Sequence, residues 1–544
     1  MFRSKRWWSS AFVVLCMQYL STIFCGFCLI LWNGLAAQRL DLVIRGATIF
    51  SGDTVAPFKK GDVAIKNERI VRIAPGIRAK GKRIIEAEGL ILSPGFIDLH
   101  AHLEPLPLDP AAQSHVRQGV TTALGGPDGG GPLGIGAYLD SLSVQGIGLN
   151  VAYLIGHNTV RSHVMGLVNR APEPTELEGM KGWIEKAMRE GAFGISTGLK
   201  YLPGTYAKLD EVIALSKVAA QYGGIYTSHL REEGLGLLEG VAEAIQIAER
   251  ADIPVILTHH KAIGIKMWGS SVQTLAMVDA ARARNLDVAI DQYPYTASFT
   301  GISVLIPSWA LEGGPVREFA RRCEDPILRD SIKRGVVFNL LNDRGGGDLR
   351  RIQFGNFDWK PELNGKTLHD WALLEGMDPS VENGAELVIA AQLHRGAGCI
   401  FHAIGEEDVR RIMQHPQTMI ASDGRLSQPG KDHPHPRAYG TFPRVLGHYV
   451  REEKVLPLEN ALYKMTSQPA LRLGLEDRGF IRKGYFADIT LFDPNTVKDN
   501  STFEAPHQYP DGIPYVIVNG QLVVDNGEYR DLRAGKALKK TSPH

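Results

Sequence analysis

The residues best suited to chemistry in this chain are histidines and one aspartate at the ends of apolar, β-prone runs. Ile91-Leu92-Ser93-Pro94-Gly95-Phe96-Ile97-Asp98-Leu99 leads into His100-Ala101-His102. In a strand, residues i and i+2 share a face, so the run predicts two imidazoles projecting together. Neutral nitrogens converging from one side suit a divalent metal ion. Among 17 histidines one such pair arises easily by chance, and the question is whether further ligands occur in the same setting. They do. Gly224-Ile225-Tyr226-Thr227-Ser228 ends in His229, Ile253-Pro254-Val255-Ile256-Leu257-Thr258 in His259, and Thr418-Met419-Ile420-Ala421-Ser422 in Asp423. Either downstream histidine alone would read as a hydrogen-bonded core residue. Four matching strand ends read as one site. A bound divalent ion would bring the pKa of water from 15.7 to about 7. Asp423 beside it could take a proton from that water and return it to a leaving amine. Asp423 could also be a helix N-cap in a Ser-Asp-Gly turn, but its place at the last strand end favours catalysis.

For ligands so far apart in sequence to meet, the elements between them must be parallel strands. Between His229 and His259, the stretch from Gly236 to Ala251 has Leu237, Leu238, Val241, Ile245 and Ala248 at helical spacing. Strand, helix, strand at this spacing implies a parallel βαβ unit. Side chains at the carboxyl ends of parallel barrel strands face a common site. The expected fold is therefore α/β, a (β/α)8 TIM-like barrel. The 544 residues, 44% hydrophobic and 22% charged, have ordinary globular composition and exceed the ~250 residues a barrel needs. Leu40 to Glu86 alternates apolar and polar residues with Gly and Asn at turns, as do Asp488 to Asp493 and Tyr515 to Val524. The two ends are expected to pair into one small β-sandwich domain. From about Phe299 to Gly398 the strand–helix rhythm weakens, and Asn342 to Asp348 reads as a turn region. This stretch is expected to be an inserted subdomain before the last barrel strand, lying over the mouth as lids do. The expected boundaries are 38–93 and 476–530 for the sandwich, 94–298 and 399–475 for the barrel, 299–398 for the insertion and 531–544 for a tail.

The first 37 residues differ from the rest. Arg3, Lys5 and Arg6 precede an apolar, uncharged run from Trp7 to Trp32, and Gly34-Leu35-Ala36-Ala37 follows. A basic start, a hydrophobic stretch and small residues describe an export signal. About 20 apolar residues already span a bilayer, so an uncleaved anchor with a cytoplasmic start fits nearly as well. Either reading puts the catalytic part outside the cytoplasm, periplasmic, secreted or membrane-tethered. Cys323 and Cys399 are the only cysteines beyond this run, too few for a disulfide framework. The net charge of +1, without a basic block, speaks against a nucleic-acid partner. Oligomeric state is not legible in the sequence.

Pro94 to His102 resembles the first metal strand of the amidohydrolase superfamily. Further ordered motifs narrow the resemblance to the N-acyl-D-amino-acid deacylases (D-aminoacylases). They are Gly156-His157 through Arg161 to Gly166, Ser196-Thr197-Gly198-Leu199, Gly223 to Gly234, Thr258-His259-His260-Lys261, Asp291 to Ala297, Ser422-Asp423-Gly424, and His433 to Arg444. Together they span roughly residues 40 to 530. The resemblance implies one or two divalent ions, zinc above all. His229 and His259 match the histidines of the tighter position, His100 and His102 those of a second position, and Asp423 the general acid/base. It further implies that Lys261, Tyr293 and Arg437 grip the substrate carboxylate. A planar guanidinium suits that group. Where many deacylases carry a ligating cysteine, this chain has Gly126-Pro127-Asp128-Gly129. Asp128 then takes that place and makes a harder, less zinc-selective donor set. Lys200, after the Ser-Thr-Gly-Leu motif, is a candidate for the carbamylated lysine that bridges two metals in many relatives, or else an ordinary loop lysine. The implied activity is hydrolysis of an N-acyl-D-amino acid to a D-amino acid and a carboxylate. The alternatives are a dipeptidase or a cyclic-amide hydrolase of dihydroorotase or hydantoinase type, and a membrane-tethered binding protein without catalysis.

Overall fold

The run from Ile91 to Leu99 divides between two sheets. In the computed structural model, which describes residues 40–541 apart from 56 and 79–80, Ile91–Pro94 joins a sheet built from both ends of the chain. Phe96–Asp98 is the first strand of the barrel. Gly95 makes the break: a Cβ there would stand 2.2 Å from the Thr121 side chain, so only glycine lets the two sheets meet this closely.

The end-built sheet has nine strands. Its seam is the antiparallel pair Ile91–Pro94 and Ile489–Phe492. The long strand Leu40–Phe50 pairs with Phe58–Lys66 along one edge and with both Gly81–Glu86 and Ile91–Pro94 along the other. That branching closes two layers around Leu42, Ile44, Val63, Ile65, Ile85, Leu92, Ile489, Leu491 and Ile517, as the alternating pattern requires.

The barrel contains the parallel strands Phe96–Asp98, Val120–Gly125, Asn150–Tyr153, Gly194–Gly198, Ile225–His229, Val255–Leu257, Val288–Gln292 and Thr418–Ile420, with Ile155–Gly156 continuing the third. Inward side chains from successive strands (Ile97, Leu124, Ala152, Ile225, Ile256, Ala289, Met419) fill its interior, as expected of a barrel core. First and last strands are tied by a buried carboxylate. Asp98 accepts the backbone N–H of Ser422 at 2.9 Å and that of His100 at 3.2 Å, and also the Ser422 hydroxyl. Burial raises its pKa to about 6.

Between Val288–Gln292 and Thr418–Ile420 the chain inserts an antiparallel sheet of Ser298–Gly301, Gly398–Phe401 and Ile352–Asn356 with helices Arg317–Glu324, Pro326–Asn342, Leu368–Leu374 and Val381–Leu393. Its first strand and the turn after Pro326–Asn342 reach the barrel mouth. The expected tail, 531–544, pairs with the barrel as far as Lys540. Val151 donates to Lys536 O, Leu538 to Val151 O and Lys540 to Gly191 O, so this segment straps the outside of the barrel. Side-chain periodicity carries no trace of such backbone pairing. Among the described residues no helix is long and apolar enough to cross a membrane; residues 1–37 lie outside them.

Candidate active site

Every ligand sits at or just past a strand's carboxyl end. His229 closes Ile225–His229, while His259 and Asp423 follow Val255–Leu257 and Thr418–Ile420 in short turns. His100 precedes the two-residue strand Ala101–His102, which pairs with Gly424–Arg425. The turns bend hard. Asp128, His259 and Asp423 all adopt positive φ, at 53°, 38° and 49°. Such backbone persists only where its surroundings hold it. His259 N–H donates to the buried Asp291 carboxylate at 2.6 Å, and Asp423 N–H donates to His100 O at 2.8 Å. The Asp128 loop is held by Ser196, whose hydroxyl accepts from Gly129 N and donates to Gly126 O. Gly198 lets it approach, since a Cβ there would lie 2.2 Å from Asp128 O. The Ser-Thr-Gly motif thus positions the loop opposite rather than acting itself.

The four histidines converge. His229 Nδ1 lies 2.8 Å from His259 Nε2, and the His100 ring centroid is 4.8 Å from that of His259 and 5.6 Å from that of His102. Asp128 stands among all four. Its carboxylate oxygens are 3.5 Å from His100 Nε2, 3.6 Å from His102 Nε2, 3.7 Å from His229 Nδ1 and 3.4 Å from His259 Nε2. Asp423 Oδ1 adds contacts of 3.5 Å to His100 Nε2 and 3.2 Å to His102 Nε2. Two overlapping ligand groups result, His100–His102–Asp128–Asp423 and Asp128–His229–His259.

These residues fit a divalent ion. His100 Nε2 and Asp128 Oδ1 are buried without hydrogen-bond partners, a costly arrangement unless a cation meets them. The donors are imidazole and carboxylate, which zinc accepts. Burial resists ionisation of Asp128, yet His100 and His259 hold its carboxyl well below the usual range. Burial likewise opposes charge on His259, but Asp128 and Glu233 carry it up to about 10. A cation entering the cluster would displace the His259 proton.

The substrate-side residues are also gathered. Arg437, from helix Arg437–Arg444, places Nη1 2.7 Å from Asp423 Oδ2 and its guanidinium 4.7 Å from the Tyr293 ring centroid. The Tyr293 hydroxyl is buried with no partner. Lys261 is fully engaged: its Nζ donates to Glu233 Oε1 at 2.5 Å and to His259 O at 2.8 Å. Lys200 does not reach the cluster. Its ammonium binds both Glu232 oxygens at 2.8 and 2.9 Å and faces a separate cavity beside Trp309 and Phe338. The strand ends at Gly198, and the following turn carries Lys200 away and brings Tyr201 in, its ring 4.5 Å from His229. The carboxylate shared by the two histidine pairs is that of Asp128.

A cavity of about 300 Å³ opens on this constellation, walled by Tyr201, Phe299, Arg344, Pro434 and His435 among others. Sequence reasoning missed Glu233 and Arg344. Glu233 lies within a motif whose other residues drew the eye. Arg344 sits in a glycine-rich turn with nothing to mark it, yet is only 2% exposed.

Fold and site together define a metal-dependent barrel hydrolase. The profile of the Amidohydrolase family matches residues 384–524. The chain is 34% identical to a D-aminoacylase of Alcaligenes xylosoxydans xylosoxydans over 93% of its own length and 99% of that protein's. It is 36% identical to an N-acyl-D-glutamate deacylase of the same organism, covering 89% and 94%. The solved N-acyl-D-glutamate deacylase of Bordetella bronchiseptica, complexed with zinc and a phosphonate mimic of the tetrahedral intermediate, superposes with TM-score 0.78 at 32% identity, over 92% of this chain and all of that one. The chain belongs to the D-aminoacylase family, the N-acyl-D-amino-acid deacylases.

Proposed function

We propose that this protein hydrolyses N-acyl-D-amino acids to a D-amino acid and a carboxylic acid, with zinc as its divalent ion. The carrying observation is the contact of Asp423 with both His100 and His102 on one side and with Arg437 on the other. One residue thereby joins the metal ligands to the group suited to a free carboxylate. When bound, the ion would supply Lewis acidity for the carbonyl and an acidic water.

The chain's own residues do the rest. In the free protein Arg437 pairs with Asp423, and burial is outweighed by that guanidinium and by His100, so the Asp423 carboxyl lies well below its ordinary range. A substrate α-carboxylate offers Arg437 a competing partner, and the Tyr293 hydroxyl a first one. Drawing Arg437 toward the substrate returns basicity to Asp423 at the moment a proton must be taken from water. Asp423 then gives that proton to the departing amine. Asp423 and Arg437 are both buried, which strengthens these charge interactions. A cyclic amide brings no free carboxylate to Arg437, which argues against the hydantoinase-type alternative; a dipeptide does bring one.

Residues 1–37 suit an export signal or an anchor, and a catalytic part outside the cytoplasm would serve scavenging of D-residue compounds. Turnover of N-acetyl-D- and N-acetyl-L-amino acids, dipeptides and hydantoins by the purified protein tests the activity. Preference for the acyl-D-amino acids is expected; turnover of cyclic amides alone would reject the proposal. Fractionation of expressing cells tests the location, and material confined to the cytoplasm would refute it.

A further inference from the structure

Behind the metal-facing side of His229 and His259 lies a residue that the chemistry above leaves idle. Glu233 is 3% exposed and follows His229 by one turn of chain. Its backbone oxygen accepts from Ile263 N–H at 2.8 Å, which holds the loop after one histidine against the loop after the other. Its two carboxylate oxygens divide between the rings. Oε2 lies 3.5 Å from His229 Nε2, and Oε1 lies 3.1 Å from His259 Nδ1. These are the rear nitrogens. The forward ones, His229 Nδ1 and His259 Nε2, face each other and Asp128.

A neutral imidazole has one N–H. If the forward nitrogens are to offer lone pairs, the rear ones must carry the hydrogens, and each then needs an acceptor. His229 Nε2 and Glu233 Oε2 are both buried without a hydrogen-bond partner, and each is the group the other lacks. Lys261 Nζ, 2.5 Å from Oε1, and Arg344 Nη2, 3.7 Å from Oε2, supply the countercharge. Lys261 Nζ also stands 2.8 Å from His259 Nδ1. Once that nitrogen carries a hydrogen it cannot accept, so Lys261 is left with Glu233 and His259 O as its acceptors.

We propose that Glu233 is the positioning residue for both deep histidines, a single carboxylate that takes the rear N–H of each ring and so turns both forward nitrogens toward Asp128. The inference rests on the metal-dependent reading above and adds to it how the deep ligands are oriented. His100 and His102 share no such group. His102 Nδ1 is 3.4 Å from Glu104, whose side chain is 43% exposed, and His100 Nδ1 has no partner.

The test is zinc affinity, read apart from turnover. Full-length protein is stripped with chelator and titrated with zinc against a chromophoric competitor. Glu233→Gln keeps the shape but offers only one acceptor oxygen, and is expected to weaken the first equivalent ~10–100-fold. Tyr293→Phe, which touches neither Glu233 nor the two deep histidines, should raise KM while leaving that first affinity near wild type. Near-UV circular dichroism of the stripped proteins checks the fold. Should Glu233→Gln fail to fold, Glu233→Asp, which keeps the charge but withdraws it, should show a smaller loss in the same equivalent. Wild-type first-site affinity in the folded Glu233 variant, or an equal loss in Tyr293→Phe, would overturn the proposal while leaving the hydrolase reading intact. A wild-type protein that binds no zinc would overturn both.

Discussion

The two histidine pairs use the same side chains on the same scaffold, yet the protein surrounds them differently. His229 and His259 are 4% and 1% exposed at their side chains and are backed by the buried Glu233. His102 is 27% exposed and leans on a surface glutamate, while His100 is buried beside Asp423. The deep pair is fixed from behind; the outer pair is fixed from the front, by the same aspartate that must move a proton. A ligand set held by groups with no other duty can stay put through a reaction cycle. One held by the acid/base cannot be equally rigid, because its partner changes charge. The difference assigns retention of the ion to the deep pair and chemistry to the outer side.

Substitutions can break that comparison. His259→Ala removes a deep ligand and should cost the most, at least ~10³-fold in kcat/KM for the several kcal/mol an ion contributes. It should also lose the first zinc equivalent, as steady-state kinetics and metal analysis would show. Asp423→Asn should lower kcat by ~10²–10⁴-fold, the usual share of a general acid/base, with the first zinc equivalent still bound. If it lost both together, the division of labour would fail. His102→Ala should have the smallest effect: titration should show a weakened second equivalent and an unchanged first, with activity reduced less than in either of the others.

Much of this arrangement was legible in the chain. Apolar, β-prone runs ending in histidine or aspartate locate the barrel strands because their apolar residues must be buried and their polar ends must face the mouth. Alternation at both ends marks the accessory sheet. Other features leave no local pattern. Gly95 divides one apolar run between two sheets because of Thr121, a neighbour in space. The segment around Lys536 looks like a tail because its ordering comes from backbone hydrogen bonds. Lys200 follows the right motif but turns away once the strand ends at Gly198. Glu233 is invisible as a role, since a glutamate in a Glu-Glu-Gly turn ordinarily faces water, and only the convergence of two distant histidines gives it a task.

Crystals of the zinc-loaded protein, measured on both sides of the zinc absorption edge, test the central claim most directly. The account predicts a full-occupancy anomalous peak within bonding distance of His229 Nδ1 and His259 Nε2, with Asp128 completing that side. A weaker peak is expected beside His100 and His102. Zinc bound only at the outer pair, or nowhere near these four imidazoles, would contradict it.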